Sequence, residues 1–377
     1  MKLKIAHFCI DNQFVESANY SFNKAFPGSL NHFYVFRGIF NRRKTNLSND
    51  FIYKKMNYHR VHFFKKSFAN KYDLIVFHSL NYWNSIILNK LCKDVKVLSI
   101  IWGGEVYTNS EIKTNFSRKD KFLNSDSFFK KVYSLIEYSF IENYKSRCNV
   151  IKKAILNSNY IACNKKEFYY LKKNKVFNEN STYVNFTYNP IEYMLLKYPK
   201  TIKKNKKIII GKSGNVAENH LQIIKIIKEN VKSFKEYFIH LPLAYGDNNY
   251  INLVKREIQN QEEINFKLDL NFEPMKEYYH RISDAELFVF NSLRQQGIGN
   301  ILAHFYFGTK IFLNKTNLLY SFYKDLGFIF YNIQEFQDQC KNKTLSELSE
   351  RDKNHNKKLI NKYFSLHTNI IALKKLL

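Results

Sequence analysis

The sequence predicts an α/β chain made of two Rossmann-like, doubly wound domains that face each other across a cleft. Three observations lead there. Short continuous apolar runs, too short for helices, recur along the chain, as parallel strands covered on both faces require. Runs with apolar spacing near 3.6 alternate with them. The alternation is interrupted once, by a basic stretch, and then begins again. A length of 377 residues exceeds one ordinary domain and suits two.

In chain order, the first strands read KLKIAHFCI (2–10), HFYVFRG (32–38), DLIVFHS (73–79), KVLSIIWG (96–103) and NYIACN (159–164). YWNSIILNKLC (82–92) and SFFKKVYSLIEYSFIENYKSR (127–147) carry helical spacing between them. The interruption is NPIEYMLLKYPKTIKKNKK (189–207), with two of the chain's five prolines. Residues 1–190 are therefore expected to form one domain, 191–207 a linker and 208–377 a second domain that ends in a basic helical segment, 350–377. In that second half KIIIG, YFIHLPL, INFKLDL, AELFVFN, KIFLN and FIFYN read as strands separated by amphipathic helices.

Composition narrows the class. Aromatic residues make up 17% of the chain, and eleven glycines and five prolines exclude a fibrous or disordered one. Five scattered cysteines lack metal-ligand spacing and do not form a disulfide framework. The N-terminal apolar run is too short for a signal segment, and no window reaches the ~18 apolar residues of a membrane span. A cytoplasmic protein, free or lying on the membrane face, is expected. The net charge is +28, and residues 1–200 hold 33 Lys and Arg against 14 Asp and Glu, or +19 of it. Such a surface attracts an anionic partner. A nucleic-acid-binding protein is one such alternative, but no nucleic-acid motif is present and the cations are spread over many elements.

Two turns carry the chemistry. LFVFNSLRQQGIGN (287–300) stops a buried strand against Arg294, Gln295, Gln296, Gly297 and Gly299 and then opens a helix. IIIGKSGNVAENH (208–220) does the same through Gly211, Ser213 and Gly214, with Asn215 or Asn219 suited to cap. Glycines at the carboxyl end of a parallel strand let backbone approach a ligand, and the free N–H groups of a first helical turn favour an anion. Arg294 would add a bidentate hold on phosphate. The GKS tripeptide is not a P-loop, since Lys206 stands where glycine is required, and the Gly-x-Gly-x-x-Gly dinucleotide spacing is missing. Two such turns in one domain suit a diphosphate.

IWGGEVY (101–107), IIIGKSGNVAENH (208–220), LPLAYGDNNYI (241–251) and RQQGIGN (294–300), taken together and in order, resemble the TDP-N-acetylfucosamine:lipid II N-acetylfucosaminyltransferases of glycosyltransferase family 56. The likeness spans nearly the whole chain, with RQQGIG its most specific part. It implies the glycosyltransferase B-type fold and a dTDP-sugar donor carrying a deoxy-amino sugar. It also implies an undecaprenyl-diphosphate-linked saccharide acceptor and a place on the cytoplasmic face of the bacterial inner membrane, in the synthesis of enterobacterial common antigen or O-antigen. On that likeness Gly211, Ser213, Gly214, His220, Pro242, Tyr245 and Arg294 to Gly299 form the donor site, and Trp102, Gly103, Glu105 and Tyr107 match the first motif. Glu105 stands where the family has Asp, and Glu218-Asn219-His220 where it has Asn-Glu-His.

Sugar transfer needs a neutralised leaving diphosphate and an oriented, deprotonated acceptor hydroxyl. No Asp-x-Asp occurs, so a metal-independent transferase without a cofactor is expected, with helix N-termini and Arg294 carrying the charge. Three acids or bases at strand ends of the first domain are candidate bases: Glu105 after paired glycines, His78 at the end of LIVFH, and Asp11 in the first loop. Each has a plainer reading, as a helix-terminal charge, a core histidine or a cap. Nucleotide-sugar hydrolysis or epimerisation on the same fold is the nearest alternative activity. The basic-aromatic segments 127–147 and 152–175 are expected to meet an anionic membrane surface.

Overall fold

The computed structural model describes residues 2–10, 14–36, 52–56, 61, 64–91, 95–107, 147–195, 203–259, 261–293 and 295–377. They form two units, one of residues 1–190 with 366–377, the other of residues 191–365.

The first unit holds a parallel sheet of β1 (Lys4–Ile10), β2 (Leu30–Phe36), β3 (Ile52–Met56), β4 (Leu74–His78), β5 (Val97–Ile100), β6 (Tyr160–Ala162) and β7 (Thr182–Tyr183). Their order is β3-β2-β1-β4-β5-β6-β7. The continuous apolar runs have the meaning expected of them. Along β4, Ile75 and Phe77 enter one core cluster while Leu74 and Val76 enter the one on the opposite face. A strand alternates its side chains, so only a sheet covered on both faces makes all of them apolar. The helices Phe14–Ala25, Tyr82–Lys90 and Lys165–Lys173 follow strands in the βα manner.

The second unit contains β8 (Asn205–Ile210), β9 (Phe238–Pro242), β10 (Asn265–Asp269), β11 (Ala285–Phe290), β12 (Lys310–Leu313) and β13 (Tyr331–Asn332), ordered β10-β9-β8-β11-β12-β13 and parallel throughout. β11 shows the same division, with Phe288 and Phe290 on one side and Leu287 and Val289 on the other. At roughly 1.5–3 kcal/mol for each large apolar side chain fully buried, this central strand is a principal source of the unit's stability.

Four details differ from the sequence reading. Ile52–Met56 is a strand, hidden by its two lysines, and Ile333–Lys341 is a further helix. Residues 191–195 of the expected linker are a helix whose Ile191 and Met194 join the second unit's core. The helix Leu366–Lys374 belongs to the first unit, where the sequence placed it in the second domain. Leu373 and Leu376 complete the first unit's core. Asn369 accepts from the Thr187 N–H at 3.0 Å and donates to the Thr187 carbonyl at 2.8 Å.

In each sheet the first strand lies between two neighbours reached in opposite directions, β1 between β2 and β4 and β8 between β9 and β11. Loops leave such a switch point toward opposite faces, which opens a crevice at the carboxyl ends of the two central strands.

Candidate active site

The switch point of the second unit is built around a buried carboxylate. Gly211 follows β8 with φ +70°, and a Cβ there would collide with His220 and Glu218. The left-handed turn bends the chain so that Glu218 reaches back under it. Glu218 Oε2 accepts the N–H groups of Lys212 at 2.7 Å and Ser213 at 3.2 Å, and Oε1 accepts the Ser213 hydroxyl at 2.5 Å. The Lys212 ammonium lies 3.6 Å from Oε1. Burial works against the lysine's charge, but Glu218 and Tyr245 outweigh it and hold its pKa above the usual range. His220, fully buried, has its pKa pushed down by that burial and stays neutral. Its backbone N–H donates to the Tyr250 hydroxyl at 2.7 Å.

The loop after β9 is stitched to this one. The Gly214 N–H donates to the Tyr245 carbonyl at 2.7 Å, and the Asp247 N–H donates to the Gly214 carbonyl at 2.9 Å. A side chain on Gly214 would run into Ile251, and one on Gly246 into the Gly214 backbone. Pro242 ends β9 and is buried, and Asp247 caps the helix Asn248–Ile258. Tyr245 stays half exposed with its hydroxyl 3.3 Å from Lys212 Nζ.

The loop after β11 closes the arrangement. The Leu293 N–H donates to the Ala217 carbonyl at 3.0 Å, tying it to the β8 loop. Gln295 is buried with its Oε1 unpartnered, and Gln296 Nε2 donates to the Ser292 hydroxyl at 2.9 Å. Gly297, at φ +68°, lies under the Lys212 methylenes, which would be 3.0 Å from an added Cβ. It begins the helix Ile298–Tyr306, whose first turn no side chain caps, and the space beside Gly299 is open. Arg294 lies outside the described residues. Lys212 is thus where three loops converge, and the sequence reading passed over it because one lysine among 60 Lys and Arg has no contrast. The signal that could have found it is its place between two glycines at a strand end.

At the first unit's switch point, His78 ends β4. Its Nδ1 lies 2.7 Å from the Tyr188 hydroxyl and its Nε2 3.0 Å from His7 Nδ1. His7 Nε2 in turn meets Asn31 Oδ1 at 3.1 Å. Asn31 Nδ2 donates to Asn23 and Ser29, which fixes Oδ1 as an acceptor. The proton positions follow outward: His7 carries its proton on Nε2, His78 donates from Nε2, and Tyr188 donates to His78 Nδ1. Burial holds His7 neutral, with its pKa lowered to about 3, and His78 well below its usual range. Both nitrogens of His78 are therefore spent inside the unit, as its core reading expected. Glu105 is buried, and its Oε1 accepts the N–H groups of Leu80 at 3.1 Å and Trp102 at 3.2 Å, joining the loops after β4 and β5. Asp11 lies outside the described residues. Glu273 accepts from Arg281 Nε at 2.8 Å.

The two parallel sheets are shared with solved structures over the whole chain. Sucrose-phosphate synthase from Thermosynechococcus elongatus is similar at TM-score 0.59 and 11% identity, covering 100% of this chain and 98% of that one. A glycosyltransferase from Rickettsia africae matches at TM-score 0.58 and 13% identity, over 100% and 97%. HepE of Anabaena, in complex with UDP and glucose, matches at TM-score 0.60 and 10% identity, over 99% and 98%. This fold is the glycosyltransferase B type. Against the curated proteins the chain finds no match in sequence. The family model for 4-alpha-L-fucosyltransferase, glycosyl transferase group 56, matches residues 156–374, more than half of the chain. The chain belongs to that family and is a glycosyltransferase.

Proposed function

We propose that the chain moves a deoxy-amino sugar of the N-acetylfucosamine kind from a dTDP-sugar to an undecaprenyl-diphosphate-linked saccharide, in building enterobacterial common antigen or O-antigen. The observation that carries the donor half is the convergence of three glycine turns on the Lys212 ammonium beside an uncapped helix N-terminus. A leaving diphosphate needs just such a group of preorganised positive charges and N–H donors. Arg294 would add its guanidinium. In the reaction the acceptor oxygen bonds to the anomeric carbon as the anomeric bond to the diphosphate breaks. The hydroxyl proton passes to a base, and dTDP leaves with its charge compensated.

Of the three candidate bases we retain Glu105, which the backbone N–H groups of Leu80 and Trp102 hold in place between the loops after β4 and β5. His78 is better suited to hold Tyr188 in place. No helix among the described residues is long and apolar enough to cross a membrane. Leu156, Tyr169 and Tyr170 are exposed among the exposed Lys153, Lys165, Lys173 and Lys175. That mixture suits the headgroup layer of an anionic membrane on the cytoplasmic side.

The test is a panel of radiolabelled dTDP-sugars incubated with the purified chain and host membranes. Label should enter the lipid fraction with a dTDP-linked deoxy-amino sugar. Label released as free or epimerised sugar, independently of the membranes, would mean hydrolysis or epimerisation instead.

A further inference from the structure

Ser79, which follows β4, has φ +80°. The other non-glycine residues with positive φ among the described residues, Lys175, Asn189, Asn219 and Lys343, lie at 48–57°, in the small left-handed well. Two of them are asparagines, which tolerate that well, and the two lysines follow the ends of helices, where such a residue is ordinary. Ser79 ends a strand and lies beyond the well. At the turn after β5 the same unit places Gly103 at φ +93°, and after β8 the second unit places Gly211 at φ +70°. A glycine at position 79 would remove the steric penalty, since it has no Cβ.

The strained turn is pinned on three sides. The Ser79 N–H donates to the Ile100 carbonyl at 2.9 Å, and its own carbonyl accepts Asn84 Nδ2 at 2.7 Å. The next N–H, that of Leu80, donates to Glu105 Oε1 at 3.1 Å. A carbonyl only accepts, so the contact with Ser79 fixes which end of the Asn84 amide is nitrogen. Asn84 is fully buried, and its Oδ1 is left without a partner. An orphaned buried acceptor is destabilising. Two standing costs thus meet at one residue, and they persist only because the surroundings over-determine it. What serine has here and glycine lacks is a hydroxyl, and that hydroxyl makes no hydrogen bond among the described residues. Ser79 keeps 9% of its surface exposed, whereas His78 before it keeps 2% and Leu80 after it none.

Backbone strain of this kind gathers where a chain must present a group to a ligand. Ser79 stands at the carboxyl end of a central strand, at the first unit's switch point, where the crevice opens. His78 beside it has both nitrogens occupied. Resting on the acceptor reading above, we propose that the Ser79 hydroxyl binds the acceptor saccharide, through a hydrogen bond to a hydroxyl or amide group next to the oxygen that reacts. Ser79 takes no part in the bond changes themselves. The Leu80 N–H links it to Glu105, so one loop sets both the group that orients the acceptor and the group that takes its proton.

Two variants separate the hydroxyl from the strain: Ser79→Ala removes the hydroxyl alone, and Ser79→Gly removes both. Transfer is measured from a radiolabelled dTDP-linked deoxy-amino sugar to the lipid-linked saccharide extracted from host membranes, with the saccharide varied. Both variants should raise the acceptor KM roughly three- to tenfold, the scale of one neutral hydrogen bond, and leave kcat within about twofold. Calorimetric titration should show dTDP affinity unchanged in both. Ser79→Gly should melt above Ser79→Ala, because only glycine relieves the turn. A serine with a merely structural role would move the melting temperature and not the acceptor KM. An unchanged acceptor KM in either folded variant overturns the proposal, and so does a loss of dTDP affinity equal to the rise in KM, which would mean general damage. If the unaltered chain binds dTDP but passes no label to the lipid-linked saccharide, the acceptor reading itself fails, and the Ser79 contact with it.

Discussion

Glu218→Gln should loosen the donor turn without emptying it. The substitution keeps the volume and one carbonyl oxygen, which can still accept the Lys212 and Ser213 N–H groups now held at 2.7 and 3.2 Å. It places an NH2 where the second oxygen accepts the Ser213 hydroxyl and faces the Lys212 ammonium 3.6 Å away. Three hydrogen bonds lose their charge assistance, about 1 kcal/mol each, since bonds to charged groups contribute ~1.5–3 kcal/mol and neutral ones about half. The buried lysine also loses its counter-charge. A total near 3 kcal/mol lowers Tm by roughly 6–12 °C in a unit of this size, at ~2–4 °C per kcal/mol. Differential scanning calorimetry reads it, and dTDP titration should show about tenfold weaker binding from the released lysine. Adding Lys212→Met should recover part of that stability while leaving the nucleotide weak, because it removes a buried charge that has lost its partner. A melting temperature within about 2 °C of the unaltered chain would refute Glu218 as the organiser of the turn.

Four further outcomes follow from the geometry. Gly299→Ala meets no atom, so it should stabilise the helix by about 0.5–1 kcal/mol yet weaken dTDP several-fold; unchanged affinity would show that the donor does not approach there. Glu105→Gln should keep dTDP affinity and lower turnover by about 10²-fold; near-normal turnover passes the base assignment to Asp11. His7 and His78 are buried neutral bases with folded pKa values below their unfolded ones. The unfolded chain therefore takes up their protons first, so stability is full above about pH 7 and falls by ~1.4 kcal/mol per pH unit for each proton as pH drops below about 6.5. Urea midpoints that stay flat from pH 7 to 5 would contradict this. Sedimentation with vesicles should show binding that needs anionic lipid and weakens as salt rises from about 0.05 to about 0.5 M. Replacing Lys152 and Lys153 by Glu should reduce it, and equal binding to neutral vesicles would remove the electrostatic reading.

The strands were legible because both faces of each sheet are covered, and that leaves a mark no other environment makes. IIIG and LFVF admit few alternatives. The turns were legible because Gly211, Gly214 and Gly297 each stand where a Cβ would collide or a left-handed backbone is needed. What went unread is long-range. Nothing in NIIALKKL says which sheet its apolar face will cover, and the helix Leu366–Lys374 returns to the first unit. The pairing of Lys212 with Glu218 went unread as well: a lysine and a glutamate six residues apart become a buried pair only after Gly211 has reversed the chain. His78 illustrates the converse. A histidine at a strand end suggests chemistry, and only the positions of His7 and Tyr188 show that both nitrogens are occupied.

The return of residues 366–377 makes the second unit, 191–365, an insertion within the first. On the ribosome the two halves therefore mature out of order. The inserted unit is contiguous and can fold as soon as it emerges. The unit begun earlier waits with Phe22, Val184 and Phe186 short of the cover that Leu373 and Leu376 supply. The interval between synthesis of residue 190 and residue 377 is about 10–40 s at typical elongation rates. Through it a half-covered parallel sheet is exposed to chaperones and to aggregation, and a chain stopped at residue 365 would never leave that state.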